Sequence, residues 1–193
     1  MQALPSHGGM ASIGTNSEAV QQALESLGVS EQVEIAGQNS PRQTVVSGEE
    51  AAVNTVVAHF KEAKMRATAL TVSHAFHSSL MEPMLEDFRK EISNLFFFEP
   101  KLTVISNVSG KKAGKEICSS DYWVNHVRNA VLFCDGILAA VEEGASRFIE
   151  VGPDPVLGGL GRQCLSEDSQ LQWFHSLRRK RGDWTTVLSA VCG

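Results

Sequence analysis

No stretch of this chain stays apolar for long. The densest run, Leu95-Phe96-Phe97-Phe98, stops at Glu99, far short of the roughly 20 apolar residues a membrane-spanning helix needs. The sequence therefore reads as a soluble protein with no membrane among its partners. Cysteine is scarce as well: Cys118, Cys134, Cys164 and Cys192 are scattered, with no C-x-x-C pair. Neither a zinc site nor a disulfide framework has support, and a reducing, cytoplasmic compartment is expected. Basic charge is not in excess. Seventeen Lys+Arg against 22 Asp+Glu leave a net charge of -5, the wrong sign for a protein that finds nucleic acid by bulk electrostatics. The opening Met1-Gln2-Ala3-Leu4-Pro5 has neither the basic nor the apolar region of a signal peptide. What is present is 193 residues, 42% hydrophobic and 20% charged, enough for one ordinary domain or two small ones and too apolar for intrinsic disorder.

The first third reads as strand, helix, two strands, helix, strand. Residues 9–13 are small and apolar. Thr15-Asn16-Ser17 offers a helix N-cap, and Ala19, Val20, Ala23, Leu24 and Leu27 recur at helical spacing until Gly28 stops the run. Val33 and Ile35 alternate with polar neighbours, Asn39-Ser40-Pro41 turns the chain, and Thr44-Val45-Val46 is extended again. Ala52, Val53, Val56, Val57 and Phe60 restore the 3.6-residue period within 49–64, and 67–72 reads as a strand. The order β-α-β-β-α-β is the split-βαβ, ferredoxin-like pattern, two helices on one face of a four-stranded antiparallel sheet.

Beyond Ser73 the pattern changes. Leu80, Met81, Met84, Leu85, Phe88, Ile92 and Leu95 mark the core-facing stripe of a long helix over 80–95, with Pro83 in its first turn. A strand at 102–108, helices at 121–128 and 131–143, a buried strand at 147–151, a helix at 156–164, a strand at 171–177 and a last helix at 184–191 follow. Such alternation predicts a layered α/β fold.

Two of the six histidines fall in Ser73-His74-Ala75-Phe76-His77-Ser78, at a strand-to-helix junction where a side chain can be held rigidly at a sheet edge. The H-x-x-H spacing has no nearby Cys, Asp or third His to complete a tetrahedral metal set. Read alone, the pair is explained at least as well by local capping and packing as by a mounted base.

The wider wording decides between them. Thr71-Val72-Ser73-His74-Ala75-Phe76-His77-Ser78-Ser79-Leu80-Met81-Glu82-Pro83-Met84 resembles the histidine motif of malonyl-CoA:acyl-carrier-protein acyltransferases, above all the acyltransferase domains of modular type I polyketide synthases. Four more segments resemble that family in order. They are the asparagine-proline hairpin at 38–48, Ile105-Ser106-Asn107-Val108-Ser109-Gly110, Asp121-Tyr122-Trp123-Val124-Asn125-His126-Val127-Arg128, and Glu150-Val151-Gly152-Pro153-Asp154-Pro155-Val156-Leu157.

The resemblance implies a ferredoxin-like small subdomain at 9–72 and the C-terminal part of an α/β-hydrolase-like acyltransferase core at 73–193, with 1–8 as a lead-in. It implies a serine that attacks malonyl-CoA and hands the acyl group to the phosphopantetheine thiol of an acyl carrier protein, with no bound cofactor. By resemblance His77 is the base, and His126 presents the main-chain oxygen that orients it. His126 also reads as an ordinary histidine at a helix C-terminus. His74 and Phe76 shape the acyl pocket, where the H-A-F-H wording resembles that of malonyl-selective members. The Phe76 ring would crowd an α-methyl branch, a preference of only about 1–3 kcal/mol, and simple core packing is the other reading of Phe76.

One element of the resemblance is missing. Ser47, Ser109 and Ser146 lie in no G-x-S-x-G, and neither Arg66 nor Arg128 matches the arginine that pairs with the malonyl carboxylate. The expectation is therefore a partial transferase, the C-terminal two-thirds of a domain, inactive alone and partnered by the remaining N-terminal part or parent synthase. A fatty-acid-type malonyl transferase and a degenerate, non-catalytic carrier-protein binding module are the rival readings.

Overall fold

The computed structural model describes Leu4, residues 7–166 and residues 169–192. The Oδ1 of Asn16 accepts the Ala19 N–H at 2.9 Å and opens α1 (Ser17–Leu27), which Gly28 closes in the left-handed region at φ 68°. With β1 (Gly8–Ile13), β2 (Val33–Ser40), β3 (Gln43–Glu49), α2 (Glu50–Glu62) and β4 (Ala67–Ala69), the first third takes the order read from the sequence. The sheet runs β2-β3-β1-β4, every neighbouring pair antiparallel, which is the ferredoxin-like topology.

Alternation along the strands sorts the core onto two faces. Ala11, Ile13, Val33 and Val46 pack with Val20, Leu24, Val53, Val56 and Phe60 beneath α1 and α2. Burying each large side chain contributes about 1.5–3 kcal/mol, so this cluster holds the subdomain together. Met10, Ala36 and Val45 face the other way, where Val72 and Phe76 cover them.

The second half comprises α3 (Glu82–Ile92), β5 (Ile105–Ser106) paired with β6 (Lys111–Lys112), α4 (Ser120–Arg128), α5 (Phe133–Glu142), β7 (Arg147–Glu150), α6 (Leu157–Gln163), β8 (Gln172–His175) and α7 (Asp183–Cys192). It is stitched to β2 through the backbone. Val131 donates to Ala36 O at 2.9 Å and accepts from Gln38 N at 2.9 Å, while Ser40 Oγ donates to Gln163 Oε1 at 3.0 Å. Among the described residues no helix is long and apolar enough to cross a membrane.

Several boundaries differ from expectation. The strand expected at 67–72 pairs only over Ala67–Ala69, because the chain must leave the sheet to form the histidine turn. A 3-10 turn over Ser79–Met81 precedes α3, which ends at Ile92, leaving Leu95 58% exposed where a core stripe was expected. The strand expected at 102–108 is reduced to Ile105–Ser106, and Val131, expected in a helix, instead bridges Gly37. The strand at 147–150 is not buried: Ile149 is 59% exposed, since β7 has a single parallel partner, β8, and an uncovered face. Of the expected lead-in, residues 1–3, 5 and 6 lie outside the described residues.

Candidate active site

The turn that carries the histidines is braced from within. Phe76 N–H donates to His74 O at 3.0 Å, and the fully buried Ser78 Oγ donates to Ala75 O at 2.7 Å and receives Leu80 N–H at 3.3 Å. Ala75 sits so close to β1 that a Cβ on Gly8 would lie 2.7 Å from its own. His77 adopts φ 59°. A left-handed conformation in a residue with a side chain costs on the order of 1–3 kcal/mol and persists only where the surroundings enforce it.

That conformation turns the half-buried His77 ring toward α4. Its centroid lies 6.5 Å from that of His126, the rings inclined at 68°. His126 in turn lies 6.2 Å from Tyr122 and 6.0 Å from Trp123, on which Phe97 stacks at 6.0 Å. The exposed-looking run 95–98 thus lends one ring to the site's wall.

Burial is the largest influence on His77 and pushes its pKa below the ordinary value of 6.5. The main-chain acceptors of Asn129 and then His126 pull the other way, and the His126 ring lowers it further. His77 Nδ1 is buried and makes no well-formed hydrogen bond. A ring held below its ordinary pKa is neutral at neutral pH, the state a general base needs. The resemblance implies that the main chain of His126 orients the ring; the main chain of Asn129, three residues on, also favours the protonated form.

His74 shares the turn, its ring 6.1 Å from that of Phe76 and its Nδ1 buried without a partner. Phe76 is half-buried and packs against the sheet face made by Met10, Ala36 and Val45. The structure thus brings His77, His126, His74 and Phe76 into one neighbourhood. Among the described residues no group of three or more His, Cys, Asp or Glu is placed to hold a metal ion.

Sequence reasoning missed the cluster that Arg128 forms behind the turn with Glu34 and Glu82. Arg128 Nη1 and Nη2 donate to Glu34 Oε2 and Oε1 at 2.7 and 3.0 Å, Arg128 Nε donates to Glu82 Oε1 at 3.1 Å, and Ser79 N–H donates to Glu34 Oε1 at 2.9 Å. Burial alone would raise the Glu34 carboxyl, but the Arg128 fork and the Ser79 N–H outweigh it and hold it below the usual range. On the far side, Glu150 receives the N–H groups of Val156, Leu157 and Gly158, each at 2.9 Å, which ties β7 to α6.

The acyl transferase domain family matches residues 1–189. Polyketide synthase GfsA of Streptomyces halstedii is 44% identical over 192 residues, which are 99% of this chain and 2% of that protein. The crystal structure of the acyltransferase domain from the second module of the salinomycin polyketide synthase is 38% identical with a TM-score of 0.90, over 98% of this chain and 44% of that one. The malonyl CoA-acyl carrier protein transacylase from Clostridium perfringens is 28% identical with a TM-score of 0.84, over 99% of this chain and 59% of that one. The chain thus spans less than two-thirds of the length of each.

Proposed function

The chain belongs to the acyl transferase domain family, and on that premise we propose that it supplies the base and part of the acyl pocket of a polyketide-synthase acyltransferase. The reaction moves a malonyl group from malonyl-CoA to the phosphopantetheine thiol of an acyl carrier protein. The observation that carries this reading is His77, held in a left-handed turn, its ring beside α4 and kept neutral by burial.

A serine hydroxyl is a weak nucleophile until a neighbouring base takes its proton. In this reading the serine comes from a segment outside these 193 residues, which contain no G-x-S-x-G. His77 takes the serine proton as the oxygen attacks the malonyl thioester and returns it to the departing CoA thiolate. In the second half the carrier-protein thiol gives its proton to His77 as its sulfur attacks the malonyl-serine ester, and His77 passes that proton back to the serine oxygen. The main chain of Asn129 and His126 favours the protonated ring formed between these transfers. His74 and Phe76 line the acyl side. The 28% identity to a malonyl CoA-acyl carrier protein transacylase supports malonyl as the group carried.

His77→Ala, made in an acyltransferase that contains both this chain and the serine-bearing segment, is expected to lower malonyl loading of carrier protein by about 10²–10⁴-fold. Unchanged loading overturns the assignment. The missing G-x-S-x-G favours a second reading, a carrier-protein binding module that transfers nothing. Intact mass of the chain after incubation with malonyl-CoA, alone and with the serine-bearing segment added, separates the two: an adduct that depends on the added segment and on His77 supports the transferase.

A further inference from the structure

We infer that Glu34 is a positioning residue for the base: its carboxylate fastens the turn that carries His77 to the end of the helix that carries His126. This rests on the reading of His77 as base.

The two ends of the fastening are set close to the ring. Ser79, whose N–H meets Glu34 Oε1 at 2.9 Å, is two residues beyond His77. Arg128, whose fork meets the same carboxylate at 2.7 and 3.0 Å, is two residues beyond His126 and immediately precedes Asn129. One side chain therefore spans both segments that flank the His77 imidazole, including the main chain that most favours its protonated form. A bidentate guanidinium-carboxylate pair fixes direction as well as distance.

Glu34 is offered by a rigid element. It alternates with the buried Val33 on β2, which is paired along its length with β3, so its side chain leaves the sheet on the side opposite α1 and α2. Its side chain is 32% exposed and that of Arg128 24%. Another ion pair joins α3 to α4, Arg89 with Asp121, but the Asp121 side chain is 69% exposed and holds geometry poorly in water. Glu82 keeps one bond to Arg128 Nε at 3.1 Å, so the loss of Glu34 does not strand the guanidinium without a partner. The titratable groups facing His77 from the packed elements are His126 and, behind the turn, the Glu34–Arg128–Glu82 cluster; His74 shares its own loop.

The test is the titration of the His77 ring, followed by NMR on the 193-residue chain and assigned with His77→Ala. Because burial holds the His77 midpoint down, releasing the ring raises it. Glu34→Gln and Arg128→Lys are each expected to raise the midpoint toward the ordinary histidine value, and the double variant to raise it no further than either single one. Loss of the carboxylate's charge through space would instead lower it. A fall, or no change, in a folded Glu34→Gln chain overturns the proposal. So does an equal rise in Glu143→Gln, which cuts the 2.6 Å Lys112–Glu143 pair beside α5. If Glu34→Gln does not fold, Arg128→Lys, which keeps the charge but loses the fork, reads the same shift. The readout needs no acyl transfer, so the failure of His77→Ala to affect loading would overturn the base while leaving the dependence of His77 on Glu34 measured.

Discussion

At the scale of the residue, His77 is poised by opposing influences. Its folded pKa lies below the ordinary 6.5 because burial outweighs the main-chain acceptors, and two consequences follow from the sign. The acid limb of the transfer rate in a serine-containing acyltransferase is expected to lie below the ordinary histidine range, since only the neutral ring accepts a proton. The folded chain is expected to lose stability as pH falls through 6.5, because the unfolded ring takes a proton that the folded ring refuses, until the folded pKa is passed. Denaturant titration of the wild-type chain and His77→Gln across this window checks the second, the variant losing less. Gly8 is tied to the same turn. Gly8→Ala would place its methyl 2.7 Å from Ala75 Cβ and 2.9 Å from Ala75 N, at a cost of about 1–3 kcal/mol, and is expected to displace the His77 resonances. The histidines were legible as a motif. The left-handed φ and the bonds that Ser79 and Arg128 donate to Glu34 were not, because each depends on where a distant backbone lies.

At the scale of the element, local signals served helices better than strands. Asn16 and Gly28 mark both ends of α1 in the sequence and do so in the structure, because a cap acts within a few residues of itself. Asn16→Ala is expected to lower stability by about 1 kcal/mol, read from the denaturant midpoint. The strands at 67–72 and 102–108 shrank to Ala67–Ala69 and Ile105–Ser106, because a strand lasts only as far as its partner does. Cys164 belongs at this scale too. Placed at the end of α6, with its Sγ donating to Asn39 O and Leu160 O at 3.3 Å, its thiol is pushed up by burial and by Cys134 to about 12. Cys164 is therefore expected to be alkylated far more slowly than Cys118 in the native chain at neutral pH, as peptide mass mapping would show.

At the scale of the whole molecule, the two halves differ in how well they are covered. The ferredoxin-like sheet closes its core beneath α1 and α2, whereas β7 and β8 form a two-stranded parallel sheet with Ile149 exposed and, just beyond β7, Val151 85% exposed. Parallel strands are ordinarily covered on both faces, and open apolar strands invite pairing. The chain alone is expected to self-associate with rising concentration, and Val151→Lys to weaken that association, measured by sedimentation. The sequence by itself determined the βαββαβ order, the caps of α1 and the histidine turn, because these rest on periodicity and on contacts a few residues long. Tertiary structure alone decided that His77 faces α4, that Phe76 lies on the sheet, and that Glu34 reaches across 94 residues to Arg128. Those facts join segments far apart in the chain, and their geometry is fixed only once the sheet and the helices have packed.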